Sequence, residues 1–296
     1  MYHGDKIPGF PQHPHRGFET ITATVEGLID HADSVGNAGR YGEGDVQWMT
    51  AGKGVVHGEM FPLVHRDRPN HTKFFQIWLN LPKKNKFVDP SFAMFWANEV
   101  PKYTSADGKA SVTVWFGDYF VKGKNENKPP PNSWASDPAN DVAVLHITLL
   151  PGGTLVVPKA QIGKTCNRSL YFVEGYDLGA SIGGTVVKEK GGRCMEVDAS
   201  IDMEIKLRDD ATGSCEFLLL QGKPIDEPVV QHGPFVMNSQ SEIHQAFDDY
   251  RRTRFGGWPW KRDDMVFSQD KGRFALLYGN ETSPDVSAED SATCSK

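Results

Sequence analysis

The chain has 296 residues, 39% hydrophobic and 24% charged, enough for one large or two modest hydrophobic cores. A formal net charge of -6 supplies no global basic field, so direct nucleic-acid contact is not expected, and no run of about 18 apolar residues reads as a transmembrane helix. Residues 1–15 are polar and rich in Gly, Pro and His, without the apolar stretch of a signal peptide, so a cytoplasmic and/or nuclear location is expected.

The 30 glycines and 19 prolines favour many turns between short strands over long helices. Residues 18–28 alternate apolar and polar with many β-branched side chains, which predicts a half-buried strand ending at Gly27. Residues 28–34 restart after that turn and read as its hairpin partner. Gly36, Gly39, Gly42 and Gly44 punctuate a predicted loop, followed by a strand at 45–49, a glycine turn at 51–54 and a strand at 55–60. Further strands are predicted at 74–81 and 112–116. Residues 124–141 are polar and contain three consecutive prolines, which cannot sit inside a sheet, so this stretch is a linker or a long exposed loop. Strand-like runs resume at 142–150, 154–157, 169–173, 185–187, 203–207 and 216–220. Two successive sets of short strands suggest an all-β chain of two stacked antiparallel barrels or sandwiches.

Apolar Ile243, Ala246, Phe247 and Tyr250 fall at helical spacing within a predicted C-terminal helix at 241–254. The expected layout is therefore an N-terminal barrel at 1–123, the linker or loop at 124–141, a second barrel at 142–240, a helix and extension at 241–282 and a disordered tail at 283–296. Cys166, Cys194, Cys215 and Cys294 are widely spaced, form no CxxC, and read as free thiols.

Two histidine pairs carry the chemistry. In His13-Pro14-His15 the imidazoles stand at i and i+2 of an extended segment, so both point to one face and can reach one ion. His57-Gly58-Glu59 repeats that spacing after a glycine turn. Together they offer three imidazoles and one carboxylate, which would leave an octahedral transition metal two open positions. Such donors suit iron, nickel, copper, manganese or zinc. His31, His65, His71, His146, His232 and His244 lack such pairing and read as solvated or structural.

The run His13-Pro14-His15-Arg16-Gly17-Phe18-Glu19-Thr20 and the run from Gly44-Asp45-Val46-Gln47-Trp48-Met49 through Gly54-Val55-Val56-His57-Gly58-Glu59-Met60 resemble the pirin family of bicupins. So do Gln76 to Leu81 and Glu227 to Asn238, and the resemblance extends over roughly residues 8–255. It implies a double cupin with one iron ion in the N-terminal barrel, held by His13, His15, His57 and Glu59, and a second barrel that is metal-free. The broader cupin signature would use Glu19; the pirin pattern uses Glu59 in that role.

The resemblance also implies an activity, quercetin 2,3-dioxygenase-type oxygenation of a flavonol-like aromatic substrate, in which Glu59 could also act as base for the flavonol hydroxyl. The alternative it implies is an iron-bearing, redox-responsive transcriptional co-regulator that works through protein partners. A monomer is expected. Pirins carry further strands before this histidine pair, whereas twelve residues precede His13 here, so a shortened N-terminal barrel is expected. Residues 257–262, with Trp258 and Trp260, read as an extension packed on the surface.

Overall fold

The computed structural model describes residues 7–188 and 192–284. Most of the expected tail at 283–296, with Cys294, lies outside the described residues. Cys166, Cys194 and Cys215 are free thiols. No helix among the described residues is long and apolar enough to cross a membrane.

The chain opens with eight strands: β1 (Gly9–His15), β2 (Phe18–Glu26), β3 (Leu28–Asp33), β4 (Ala38–Gly42), β5 (Val46–Thr50), β6 (Val55–Met60), β7 (Lys73–Asn80) and β8 (Ser91–Phe95). Then come β9 (Lys102–Thr104), β10 (Ala110–Phe116), β11 (Ala143–Leu149), β12 (Thr154–Val157), β13 (Asn167–Glu174), β14 (Ala180–Ile182), β15 (Thr185–Val187), β16 (Arg193–Glu196), β17 (Met203–Leu207) and β18 (Cys215–Gly222). The chain ends with β19 (Val230–His232), β20 (Phe235–Met237), helix α1 (Gln240–Thr253), β21 (Phe274–Leu277) and β22 (Asn280–Thr282). Ser239 caps α1, its hydroxyl accepting from the Glu242 amide, while Glu242 accepts from the Asn238 amide.

The architecture is a double cupin. One compact unit takes in the described residues up to Asn98, Pro130–Ser133, and those from Glu227 onward. It is built on a six-stranded sheet ordered β1-β6-β3-β4-β21-β22 and a four-stranded sheet ordered β7-β2-β5-β8. The other unit comprises Glu99–Pro129 and Trp134–Asp226. Its sheets run β16-β13-β18-β11-β10-β9 and β12-β17-β14-β15. These boundaries differ from the expected 1–123 and 142–240. β9 and β10 pair onward to β11 and so belong with the second set of strands, while the described residues from Glu227 onward return to the first. Residues 124–141 carry no strand, as the prolines dictate.

Two local expectations are corrected. β3 is not the hairpin partner of β2: β2 pairs with β5 and β7, and β3 with β4 and β6. Gly27, at φ 76, turns the chain out of one sheet into the other, as a jelly-roll requires. The expected glycine loop at 36–44 contains β4. A Cβ on Gly42 would lie 2.0 Å from the Gly27 carbonyl oxygen, and one on Gly39 would lie 2.8 Å from that of Phe274. Close backbone approach, not a turn, requires these two glycines.

The C-terminal extension is likewise more than a surface appendage. β21 pairs with β4 and lengthens the six-stranded sheet. The Gln12 amide donates to the Asp263 carbonyl, and the Trp260 indole donates to the Asp33 carbonyl. Beneath it, Arg40 grips the Asp30 carboxylate through two bonds of 2.7 and 2.8 Å and donates to the carbonyls of Phe267, Ser268 and Lys271. Both partners are fully buried.

The interiors differ in character. Val112, Val114, Leu145, Ile147, Leu170, Phe172, Ile205, Phe217 and Leu219 join one continuous core in the second unit. His146 alternates away from that core, stacks on Trp115 and lies 3.0 Å from Glu216. The first unit instead buries His15, Thr20, Thr22, His31, Gln47, His57 and Glu59.

Replacing Arg40 with Met should destabilise the chain by about 3–5 kcal/mol, because the Asp30 carboxylate is left buried without its cation. The double variant Asp30→Leu with Arg40→Met should recover part of that loss. Urea unfolding of the three proteins measures both; a single-variant cost below about 1 kcal/mol would mean the pair is solvated.

Candidate metal centre

Strand register assembles the site. β6 lies between β1 and β3 and pairs antiparallel with both. His57 stands opposite His13 on one side and Asp33 on the other, and Glu59 stands opposite His31. Side chains alternate faces along a strand, so His13 and His15, His57 and Glu59, and His31 and Asp33 project as pairs from neighbouring strands.

The donors fall into two groups. The ligand atoms of His13, His15 and His57 lie within 4.8 Å of one another, and so do those of His31, His57 and Glu59. His57 belongs to both. Of the four residues expected together, the structure brings the three histidines to one point and sets Glu59 in the neighbouring group with His31. His13 is half-buried and the other donors are buried, so solvent reaches the cluster from the His13 side.

The buried imidazoles of His15 and His57 are poised as neutral ligands. The Nε2 atoms of His13 and His15 face each other at 3.1 Å, while their Nδ1 atoms lie 2.9 and 3.4 Å from the carbonyls of Pro11 and Pro234. An N–H on Nδ1 bonded to a carbonyl fixes the tautomer that leaves Nε2 as a lone pair. Burial, and then the neighbouring His13, push the His15 ring down to about 3. Burial, followed by His13, His15 and His31, holds His57 well below its ordinary value. Neither ring nitrogen of His57 has a hydrogen-bond partner, although the ring is fully buried. An orphaned buried imidazole among convergent lone pairs is what a bound cation would satisfy. The residues present therefore fit a transition-metal ion.

Glu59 is fixed from the opposite sheet. Its Oε1 accepts from the Thr22 hydroxyl at 3.0 Å and its Oε2 from the Gln76 side-chain amide at 2.6 Å. The Tyr41 hydroxyl lies 3.0 Å from Oε1. Burial, and then the Glu59 charge, raise the Tyr41 phenol well above its ordinary value, so it stays a donor. Glu19 lies elsewhere. It stands opposite Thr50 in the β2–β5 register and accepts from the hydroxyls of Thr50 and Ser133. A wall of two rings flanks the histidines: Phe18 lies 4.9 Å and Trp78 5.5 Å from His15 by ring centroid, and 4.3 Å from each other.

Sequence reasoning missed His31, which it classed as solvated or structural; the ring is fully buried and sits among the donors. The available signal was His31-x-Asp33, the same i, i+2 spacing as the two recognised pairs. It also missed Thr22, Tyr41 and Gln76, which no motif marks.

A first cupin with a polar, histidine-bearing chamber and a second cupin with an apolar core define a bicupin with a candidate metal centre in the first. The Pirin family model matches residues 1–79, and the Pirin C-terminal cupin domain model matches residues 144–256. The chain is 37% identical over 248 residues to a pirin-like protein of Solanum lycopersicum, covering 84% of this chain and 77% of that one. It is 34% identical over 258 residues to human pirin, covering 86% and 80%. The crystal structure of quercetin 2,3-dioxygenase from Acinetobacter baumannii superposes with a TM-score of 0.72 at 28% identity, covering 86% of this chain and 81% of that one. The chain belongs to the pirin family.

Away from the histidines, Glu19 provides a pH probe of the barrel. Burial lifts its carboxyl from an ordinary 4.5 to about 7, against the hydroxyl bonds that lower it. The folded chain thus holds a proton that the unfolded chain releases, so stability falls as pH rises from about 4.5 to about 7, by roughly 3 kcal/mol. Glu19→Gln should remove this slope. Unfolding free energies of both proteins across that range measure it, and parallel pH profiles would refute it.

Proposed function

We propose that the chain is an iron-dependent oxygenase of the quercetin 2,3-dioxygenase type, acting on flavonol-like aromatic substrates. One observation carries this reading: three imidazoles converge beside an aromatic wall, with a buried carboxylate two residues beyond His57 on the same strand. His13, His15 and His57 would hold the ion, and Glu59 either joins them or serves as the local base. Bound there, iron would supply Lewis-acid binding of a substrate oxygen and the means to activate dioxygen.

The remaining work falls to this chain's own side chains. Phe18 and Trp78 offer ring faces against which a planar flavonol can stack next to His15. Trp78 is exposed enough to meet an incoming ligand. Glu59, aligned by Thr22, Tyr41 and Gln76, is the carboxylate that can take a flavonol hydroxyl proton. The likeness to the Acinetobacter baumannii quercetin 2,3-dioxygenase supports the substrate class. The nitrogen-rich donor set is compatible with iron, and the family pattern favours it.

The full chain, loaded with Fe(II) without oxygen, should bind one ion and then consume dioxygen only when quercetin is added. His57→Ala should lose both the ion and the oxygen uptake. Trp78→Ala should keep the ion and raise the KM for quercetin roughly 3- to 10-fold, the loss of about 1 kcal/mol of stacking. Metal stoichiometry and an oxygen electrode read all three. An ion bound at one per chain without flavonol-dependent uptake would overturn the oxygenase reading.

A further inference from the structure

The run Trp258-Pro259-Trp260 and the residues after it lie beyond residues 1–79 and 144–256, which the family models match, and the proposed function gives them no role. They cross the outer face of β1, β6 and β3, the three strands whose inner faces carry the histidines, and each contact falls at a donor. The Trp260 indole donates at 2.7 Å to the carbonyl of Asp33, the residue opposite His57. The Trp258 ring covers Gly58, which stands between His57 and Glu59: a Cβ there would lie 3.6 Å from Trp258 Cη2. The Trp258 indole also donates to the Arg262 carbonyl at 2.8 Å, closing the turn that presents Asp263. The Asp263 carbonyl then accepts at 2.8 Å from the amide of Gln12, next to His13.

Gln12 has that amide to give because β1 is bulged. The β1–β6 register sets Phe10 opposite Glu59 and His13 opposite His57, so Pro11 and Gln12 together face Gly58 alone. A bulge of this kind leaves its extra residue out of the ladder. Pro11 has no N–H to satisfy; Gln12 has one, and the C-terminal extension answers it. The same bulge places the Pro11 carbonyl 2.9 Å from His13 Nδ1, the bond that leaves His13 Nε2 as a lone pair. Were the bulge lost, the alternation of the strand would carry His13 to the far face. We propose that residues 258–263 form a brace that pins the β1 bulge through Gln12 and so aims His13 at the ion, which makes Trp258 a positioning residue of the metal centre. The brace rests on the reading that His13, His15 and His57 hold an ion, and it needs nothing of the oxygenase chemistry. A segment that only stabilised the sheet would leave the His13 ring as it is; one that acts through the bulge changes that ring directly.

The experiment is a Co(II) titration of the full chain and its variants, with proton–nitrogen correlation spectra of the metal-free, nitrogen-labelled histidines. Urea unfolding ranks the variants by stability. The wild type should bind Co(II) and show His13 as the Nδ1–H tautomer, its resonances assigned with His13→Ala. Trp258→Ala should weaken Co(II) binding roughly 10- to 100-fold, the loss typical when the outer support of a metal ligand is removed, and should mix the two His13 tautomers. If circular dichroism shows it unfolded, Trp258→Phe, which keeps a ring on Gly58 without the N–H, replaces it. Arg273→Met is the control. It removes bonds from the same extension to Asp45 and to the Gly42 carbonyl but leaves residues 258–263 untouched, so it should lose stability and bind Co(II) as the wild type does. Full affinity in Trp258→Ala, equal weakening in both variants, or weakened binding with the His13 tautomer unchanged would overturn the brace and leave the metal reading intact. A wild type that binds no Co(II) would overturn both.

Discussion

The pairing of β6 with β1 on one side and β3 on the other is the constraint on which the site depends. It sets His57 opposite His13 and Asp33, and Glu59 opposite His31. A slip of one residue in either ladder would turn one partner's whole set of donors to the far face. Register is protected by what lies behind it. Gly39 and Gly42 let neighbouring backbones approach β4, and the Arg40–Asp30 pair ties the outer face of the same sheet to the C-terminal extension. Chemistry on the inner face is thus held by packing on the outer one.

The returning C-terminal segment contributes to the site as well as to the sheet. Pro234, at the β19–β20 turn, lies with its carbonyl 3.4 Å from His15 Nδ1. The next residues are pinned in place by buried Lys86, whose ammonium donates to the carbonyls of Gly17 and Val236 and to Asn80. Arg16, next to His15, donates to Asp249 of α1 and lies 4.6 Å over the Phe255 ring. Residues more than two hundred positions away in the chain therefore orient one imidazole.

The two cupins show two solutions to filling a barrel. Apolar side chains fill the continuous core of the second, the low-cost solution. The first keeps imidazoles, hydroxyls and a carboxylate inside, where unpaired polar atoms are costly unless a ligand or ion answers them. Glu59 is answered by protein donors; His57 and His31 are not. An orphaned, buried imidazole such as His57 is what a bound cation would answer.

Much of this was legible in the chain. Period-two spacing alone placed His13 with His15 and His57 with Glu59, because extended backbone puts i and i+2 on one face whatever surrounds it. Likewise the prolines excluded strand from 124–141, and helical spacing located α1, since these are local constraints. The tertiary structure decided what depends on partners distant in sequence. It turned an apparent glycine loop into β4, because the need for close approach arises only when Gly27 and Phe274 arrive. It drew residues after 227 back into the first unit, and removed Glu19 from the site by facing it toward Thr50 and Ser133. It also set His31 among the donors, because a single histidine on a strand has no meaning until register names the residue across from it.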